Sequence, residues 1–185
     1  MGWDELHAAA IDELRQWQAP DEPQAVLRND FLSHLATHPD GHRKAGPPAH
    51  LTASCVVLEP TGRRVLLTHH LKAQVWLQFG GHLELDDRSL ADGALREARE
   101  ESGVDDLELL GGVLELDRHD LIGDFGHCGT HLDVRFVAIA QPDVEHAVSA
   151  ESIDVAWFDV DELPNPVLVP VVGRAVARLR ASGTV

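Results

Sequence analysis

The chain has 185 residues, of which 44% are hydrophobic, and a formal net charge of −16 at pH 7. This length and composition are typical of one globular domain with its own core. Because 15 basic residues stand against 31 acidic ones, we expect no nonspecific binding to nucleic acid polymers or anionic membranes. A small anionic substrate is compatible with this charge, since a bound divalent cation reverses the local sign.

Neither the N-terminus nor any later segment reads as a targeting or membrane-spanning sequence. Residues 1–5 lack the basic start and apolar run of a signal peptide. No apolar stretch approaches the roughly 20 residues that cross a bilayer. Cys55 and Cys128 are too few for a disulfide scaffold. We therefore expect a cytoplasmic protein with reduced cysteines and no membrane partner.

Residues 1–50 read as a helical N-terminal extension. Apolar residues recur at helical spacing across residues 3–17 and 24–37, with a proline-rich break between the two segments. Residues 38–50 form a connector rich in glycine and proline. The two apolar stripes need a partner surface. The extension could cover a sheet, form a homodimer contact or cap a substrate site.

From residue 51 onwards strands and helices alternate. Residues 51–58 and 63–68 read as strands joined in a hairpin, and a short apolar stretch at 75–79 runs into two glycines. The clearest helix covers residues 89–102, where Ser89 with Asp92 resembles a capping box and Gly103 is placed to end the helix. Further strands are expected at 107–116, 132–140 and 155–158, and a last helix at 167–179. This order predicts an α/β protein with a mixed sheet, whose domain covers residues 51–185.

Three glutamates of the central helix, Glu97, Glu100 and Glu101, stand at i, i+3 and i+4 and therefore share one side. Adjacent carboxylates repel one another, and a hard divalent cation relieves that repulsion through oxygen ligands. The glycines ahead of the helix, Gly80 and Gly81, allow a close backbone approach, so a carbonyl there is a further candidate ligand. A metal held in this way bridges phosphate oxygens and activates water. The alternative is a solvated acidic helix face.

The segment from Gly81 to Val104 resembles the signature of the Nudix hydrolases, G-x5-E-x7-R-E-U-x-E-E-x-G-U, in which U is a bulky aliphatic residue. Gly81 fits the first glycine. The second half is matched by Arg96, Glu97, Ala98, Glu100, Glu101, Gly103 and Val104. The resemblance runs from residue 51 to the C-terminus and leaves the first fifty residues outside. It implies an α/β/α sandwich with a mixed β-sheet.

The first half of the motif departs from the family pattern. Asp87 stands in place of the glutamate, and eight residues instead of seven separate it from Arg96. In the family that glutamate pairs with the motif arginine and supports the loop. The resemblance therefore implies that Asp87, or else Glu84, pairs with Arg96. Gly80 and Gly81 are expected to shape the loop, and Gly103 supports it by ending the helix. The additional residue falls where a loop absorbs it easily.

The resemblance implies a metal-dependent hydrolase that cleaves the diphosphate linkage of a nucleotide or nucleoside diphosphate derivative by attack of water on phosphorus. It implies that Mg²⁺ or Mn²⁺ is bound by Glu97, Glu100, Glu101 and the carbonyl of Gly81. The charge that builds on phosphate oxygens during this reaction is what such cations neutralise.

The general base varies among family members, so the resemblance leaves it open. It is one of the helix glutamates or a carboxylate on a later loop, with Glu151 as the best outside candidate and Asp120 and Asp124 behind it. Two other functions stay open. One is a Nudix-like nucleotide-binding or regulatory module with little turnover, and the other is a diphosphate isomerase, for which no cysteine and glutamate pair is evident.

His127, Cys128 and His131 lie close together in the sequence and raise the question of zinc. Neither a paired Cys-x-x-Cys nor a helical His-Glu-x-x-His pattern accompanies them, so a polar loop near the substrate is the favoured interpretation. His82, after the two glycines, could approach a phosphate or a base. Trp76 is a candidate for stacking on a nucleobase or for the core.

Overall fold

The computed structural model of the chain describes residues 2–121, 123, 126–141, 144–150 and 152–183. Its helices are α1 (Trp3–Gln16), α2 (Glu22–Thr37), α3 (Leu90–Ser102) and α4 (Val169–Ala181). Its strands are β1 (Ala49–Leu58), β2 (Arg64–His70), β3 (Trp76–Leu77), β4 (Phe79–His82), β5 (Glu108–Leu109), β6 (Glu115–Asp120), β7 (Thr130–Ile139) and β8 (Ser152–Asp159). Within these described ranges no helix is long and apolar enough to cross a bilayer.

The strands form one mixed sheet with β1 near its centre. β1 pairs in parallel with β7 along its whole length, from Ala49 opposite Thr130 to Leu58 opposite Ile139. Its other edge is shared between β4 and β2, both antiparallel to it. β2 also pairs with β3 and β8, and β7 also pairs with β5 and β6. The mixed sheet expected from the sequence is confirmed.

Both faces of the sheet are covered by apolar side chains, as an α/β/α sandwich requires. Side chains alternate along a strand, and four alternate residues of β1 belong to the core that contains α1, α2 and α3: Leu51, Ala53, Cys55 and Val57. Val56 and Leu58 belong to a second core, which contains Val172 and Leu179 of α4. The central strand is therefore buried on both sides.

The two N-terminal helices share the first of these cores. Leu6, Leu14 and Phe31 are fully buried in it. Gln24 also pairs with the backbone of β6, because its Nε2 donates to the Leu116 carbonyl at 3.0 Å and its Oε1 accepts from the Leu116 N–H at 2.7 Å. α1 and α2 thus cover the sheet, one of the roles that the sequence left open.

Three expectations about the later elements are wrong in detail. The single strand expected at 107–116 is two strands, β5 and β6, because Gly111 adopts a φ of +77° and turns the chain between them. β6 continues to Asp120, which was expected to lie on a loop. The helix expected at 167–179 opens as a 3₁₀ turn, Pro166–Leu168, and α4 carries Pro170 in its first turn, where the missing N–H costs no helical hydrogen bond.

Candidate functional site

α3 carries the motif glutamates, and both of its ends are fixed by local contacts. The Ser89 hydroxyl accepts a hydrogen bond from the Asp92 N–H at 3.0 Å, which caps the first turn. A carboxylate oxygen of Glu13, in α1, accepts from the Leu90 N–H at 3.0 Å. Gly103 ends the helix at a φ of +69°, a left-handed conformation that glycine adopts without strain. The helix expected from the sequence is therefore confirmed.

Glu97, Glu100 and Glu101 line one wall of a cleft of about 1000 Å³. Their exposure differs: Glu101 is 4% exposed, the Glu97 side chain 15% and the Glu100 side chain 58%. The structure thus brings together the three carboxylates whose spacing placed them on one side of the helix. They form a series from a buried carboxylate to one in open contact with solvent.

β4 lies directly against these carboxylates, and it can do so because its central residues are glycines. The Gly80 N–H donates to Glu101 Oε2 at 3.1 Å. A Cβ on Gly81 would lie 2.8 Å from Glu97 Oε1, so the carboxylate fills the space that a side chain would need. Gly80 has a φ of +154°, and a Cβ there would overlap Ser54 of β1. Main-chain atoms of β4 and the carboxylates of α3 therefore meet at one edge of the cleft.

Arg96 connects the loop before α3 to the glutamates. Its Nε and Nη2 donate to the two oxygens of Asp87, and its Nη2 also donates to the His82 carbonyl at 2.9 Å. Its Nη1 donates to Glu97 at 3.1 Å and to Glu100 at 3.0 Å. Burial opposes its charge, but the Asp87 hydrogen bonds and the surrounding carboxylates raise the pKa of Arg96 above its usual value. Glu84, the second expected partner, is exposed, and its N–H donates to Asp87.

The rest of the cleft is lined in part by basic and aromatic side chains. Lys72, which follows β2, is one of them, and Arg43, Lys44 and Trp3 come from the N-terminal fifty residues. The Arg43 guanidinium lies 5.0 Å from the centre of the Trp3 ring. No sequence pattern indicated these three residues, because a helix start and a connector meet the cleft only through tertiary packing. The N-terminal segment thus forms part of the cleft wall.

The carboxylates expected outside α3 are placed only in part. Glu151 and Asp124 lie outside the described residues. Ser149 and Ala150, just ahead of Glu151 in the sequence, line the cleft. Asp120, at the end of β6, accepts a hydrogen bond from the Thr130 hydroxyl at 2.7 Å and is not among the described residues that line the cleft.

Trp76, which the sequence left between base stacking and the core, is a packing residue, and so is Cys55. Trp76 stacks on His69 at 5.1 Å and meets the Phe158 ring edge-on at 4.7 Å, against the core that contains α4. Cys55 is fully buried, and burial raises the pKa of its thiol to about 12, which keeps it protonated. Neither side chain belongs to the cleft as it is described.

A group of histidines lies beside the glycine strand. His50, His82 and His131 place their rings within 5.1–5.4 Å of one another, and Cys128 joins them. Burial, ahead of neighbouring positive charges, lowers the pKa of His82 to about 3 and that of His131 to about 4. Burial also lowers the pKa of His50. His127, which the sequence grouped with Cys128, instead contacts the Gly46 carbonyl at 2.8 Å.

Known proteins share both the sequence family and the fold of this chain. The family model of the NUDIX domain matches residues 48–179, which is more than two thirds of the chain. A NUDIX-family hydrolase from Clostridium perfringens is 22% identical with a TM-score of 0.51, and the match covers 72% of this chain and 97% of that one. The MutT protein from Methanosarcina mazei Go1 is 17% identical with a TM-score of 0.54, covering 74% and 96%.

The NUDIX domain of Shewanella oneidensis NrtR, solved with ADP-ribose, is 19% identical with a TM-score of 0.52, and the match covers 70% of this chain and 87% of that one. At these identities the structures show a shared fold. No curated protein matches the chain. The matched region contains β1, β4 and α3, which build the cleft described above, and the chain therefore belongs to the NUDIX domain family of hydrolases.

Proposed function

We propose that the chain hydrolyses the diphosphate linkage of a nucleotide or nucleoside diphosphate derivative by attack of water on phosphorus, with Mg²⁺ or Mn²⁺ as cofactor. Glu97, Glu100, Glu101 and the Gly81 carbonyl would hold the metal. The observation that carries this proposal is the meeting of three α3 carboxylates with the glycine strand, in a cleft that also exposes basic side chains.

The residues fit a hard divalent cation. The donors in question are carboxylate and carbonyl oxygens, which Mg²⁺ and Mn²⁺ prefer. The atoms nearest to a Cβ built on Gly81 are those of the Glu97 carboxylate, with both oxygens at 2.8–2.9 Å. When bound, such a metal neutralises phosphate charge and lowers the pKa of a coordinated water. Arg96 offsets part of the negative charge that three clustered carboxylates create.

The chain's own residues bind and orient the substrate. Lys72, Lys44 and Arg43, which line the same cleft as the glutamates, supply positive charge to the phosphates. Trp3 offers an aromatic face to a base or sugar at the same cleft. Glu100, the most exposed of the three glutamates, and Glu151 are the candidates for accepting a proton from the attacking water.

The substrate class rests on chemistry and on one comparison. A cleft with acidic and basic walls suits a ligand with several phosphate charges and a polar partner moiety. The NrtR domain was solved with ADP-ribose, which is itself a nucleoside diphosphate derivative. This supports diphosphate-linked nucleosides as the first compounds to assay.

The test is a product screen with purified protein against nucleoside triphosphates, dinucleoside polyphosphates, nucleotide sugars and ADP-ribose. Each is incubated with Mg²⁺, with Mn²⁺ or with a chelator, in water enriched in ¹⁸O. We expect metal-dependent cleavage with ¹⁸O in one phosphate product, as attack on phosphorus requires. Cleavage that puts ¹⁸O on the non-phosphate product would overturn the mechanism.

The altered first half of the motif motivates one competing function, a nucleotide-binding or regulatory module. That function predicts thermal stabilisation by a nucleotide, without product under any metal condition. An isomerised product that carries no ¹⁸O would point instead to the isomerase. The three outcomes are distinguished within the same screen, because substrate loss, product mass and thermal shift are measured on the same samples.

A further inference from the structure

Four side chains that bind transition metals converge beside the glycine strand, and two of them, His82 and His131, line the same cleft as the three glutamates. His50, His82, Cys128 and His131 each offer one ligand atom, and all four atoms lie within 4.8 Å of one another. His50 Nε2 and His82 Nε2 are 3.1 Å apart, and Cys128 Sγ is 3.6 Å from His82 Nε2. The four residues come from three separate parts of the sequence, and the fold brings them together.

Strand register explains the convergence. His50 in β1 and His131 in β7 are direct partners on parallel strands, so both side chains leave the same face of the sheet. His82 in β4 is paired with Thr52, two residues along β1 from His50, and so projects from that face as well. Cys128 is fixed by the next residue, Gly129, whose N–H donates to the Pro48 carbonyl at 2.8 Å.

Hydrogen bonding leaves nitrogen lone pairs directed into the group. His50 Nδ1 lies 2.9 Å from the Pro47 carbonyl, which only accepts, so in the neutral ring Nδ1 carries the proton and Nε2 is an acceptor. That lone pair faces the group, where it accepts from His82 Nε2 at 3.1 Å. A backbone carbonyl on the far ring nitrogen is the usual partner of a metal-binding histidine. His131 Nε2 is buried and has no hydrogen-bond partner among the residues described. A cation would give His131 Nε2 a partner and would replace the hydrogen bond between His50 and His82.

Two of the six ligand–ligand separations can be compared with those of a tetrahedral zinc site, and all six are within 4.8 Å. With Zn–N bonds of about 2.0–2.1 Å and a Zn–S bond of about 2.3 Å, tetrahedral angles place two nitrogens about 3.3 Å apart and a nitrogen and the sulfur about 3.6 Å apart. The measured 3.1 Å and 3.6 Å lie close to these values. Imidazole and thiolate ligands favour Zn²⁺ over Mg²⁺ or Mn²⁺, the reverse of the preference of the α3 carboxylates.

We propose that His50, His82, Cys128 and His131 form a structural zinc site, distinct from the site on α3. Four protein ligands fill a tetrahedral shell, which is typical of a structural and not of a catalytic zinc. Binding releases the Cys128 thiol proton to solvent and forms a zinc–thiolate bond. The zinc would link β1, β4 and β7, with His82 as the ligand from β4. His82 follows Gly81 directly, and its carbonyl accepts a hydrogen bond from Arg96, so both contacts hold this part of β4 in place.

Zinc binding to the chelator-treated, reduced protein tests the proposal directly. Titration against a chromophoric chelator should show one tight equivalent in the wild type and at least about 100-fold weaker binding in Cys128→Ser and His131→Ala. His127→Ala is the matched control, because His127 adjoins Cys128 and contacts only the Gly46 carbonyl among the partners described. It should retain wild-type affinity.

Co²⁺ substitution identifies the ligands. The wild-type protein should give the visible bands of tetrahedral Co²⁺ and a thiolate charge-transfer band that Cys128→Ser lacks. Both bands should persist in Glu101→Gln, because Glu101 is not a proposed zinc ligand. The test of the zinc site is therefore independent of the proposed hydrolase activity. Unchanged melting of Cys128→Ser in chelator shows that the variant folds. Absence of zinc binding by the wild type, or equal binding by Cys128→Ser and the wild type, would overturn the proposal.

Discussion

Arg96 and Asp87 form a two-pronged ion pair, with Nε to Oδ1 at 2.9 Å and Nη2 to Oδ2 at 3.1 Å. Asp87 Oδ2 also accepts the Glu84 N–H at 2.8 Å, which closes the loop onto the carboxylate. Aspartate is one methylene shorter than the glutamate of the family motif, and the loop is one residue longer. The longer loop thus brings a shorter side chain to the arginine.

Asp87→Asn should destabilise the protein strongly. Asp87 is 4% exposed, and its neutralisation would leave the Arg96 charge with only its partners on α3 and the His82 carbonyl. Breaking a buried pair by changing one partner costs about 3–5 kcal/mol. Urea unfolding should show this loss, whereas Asp92→Asn, which breaks the exposed Arg88 pair, should cost about 0–1 kcal/mol. Equal costs for the two variants would contradict this account of the loop.

Gly80→Ala should lower both stability and turnover. The added Cβ would lie 2.6 Å from the Ser54 Cα and 2.8 Å from the Ala53 carbonyl oxygen, and a φ of +154° is strained for alanine. We expect a loss of about 2 kcal/mol or more in the free energy of unfolding. Gly112→Ala is the control, since a Cβ there meets nothing within 4 Å. A Gly80→Ala variant as stable as Gly112→Ala would refute the close packing of β4 against β1.

Gln24→Ala should loosen the N-terminal helices from the sheet. The substitution removes both hydrogen bonds to the Leu116 backbone and leaves a buried N–H and carbonyl without those partners. The expected cost is about 1–3 kcal/mol. Gln18→Ala, at an exposed position, should change the unfolding free energy by less than about 0.5 kcal/mol. Hydrogen exchange should locate the increased opening of Gln24→Ala in β6 and α2, and unchanged exchange there would count against the account.

Stability should fall as the pH drops from about 6.5 towards 4, and His42 contributes to this fall. His42 is fully buried beside the rings of Trp3 and His7; burial, and then the charges of His7 and Arg43, lower its pKa to about 4. In that interval the unfolded chain binds a proton that the folded chain does not. The free energy of unfolding therefore decreases with falling pH, by at most about 1.4 kcal/mol per pH unit for this group.

His42→Phe should flatten that dependence, because phenylalanine cannot take up the proton in the unfolded state. Urea unfolding between pH 4.5 and 7.5 measures the slope directly. His146→Phe serves as the control, since His146 is exposed, and it should keep the wild-type slope. If His42→Phe and His146→Phe give the same slope, His42 is not the source of this part of the pH dependence.

The sequence predicts those parts of the molecule that depend on local pattern. The ends of α3 follow from Ser89 and Gly103, and the shared side of Glu97 and Glu101 follows from helical spacing. The hairpin of β1 and β2 follows from a turn between two apolar runs. In each case the residues that predict the structure are close together in the sequence, within one turn of a helix or beside one hairpin turn.

Local sequence patterns do not predict contacts between segments that are far apart in the chain. His50 and His82 are 32 residues apart and His82 and Cys128 are 46 apart, and their meeting depends on the register of β1 with β4 and β7. Trp3 reaches the cleft only because α1 packs on α3. The split of the strand expected at 107–116 depends on the left-handed conformation of Gly111, which a strand pattern does not reveal.

The measurement that tests the central proposal most directly is the turnover of Glu101→Gln on the substrate that the wild type cleaves fastest. Glutamine keeps the shape of the side chain and an oxygen that can accept the Gly80 N–H, but it lacks the charge that a cation needs. Glu108→Gln, an identical change at an exposed position on β5, is the control. We predict that Glu101→Gln loses at least about 100-fold in kcat while it melts like the wild type, and that Glu108→Gln keeps full activity. Wild-type turnover in Glu101→Gln would contradict the proposed metal-dependent hydrolase.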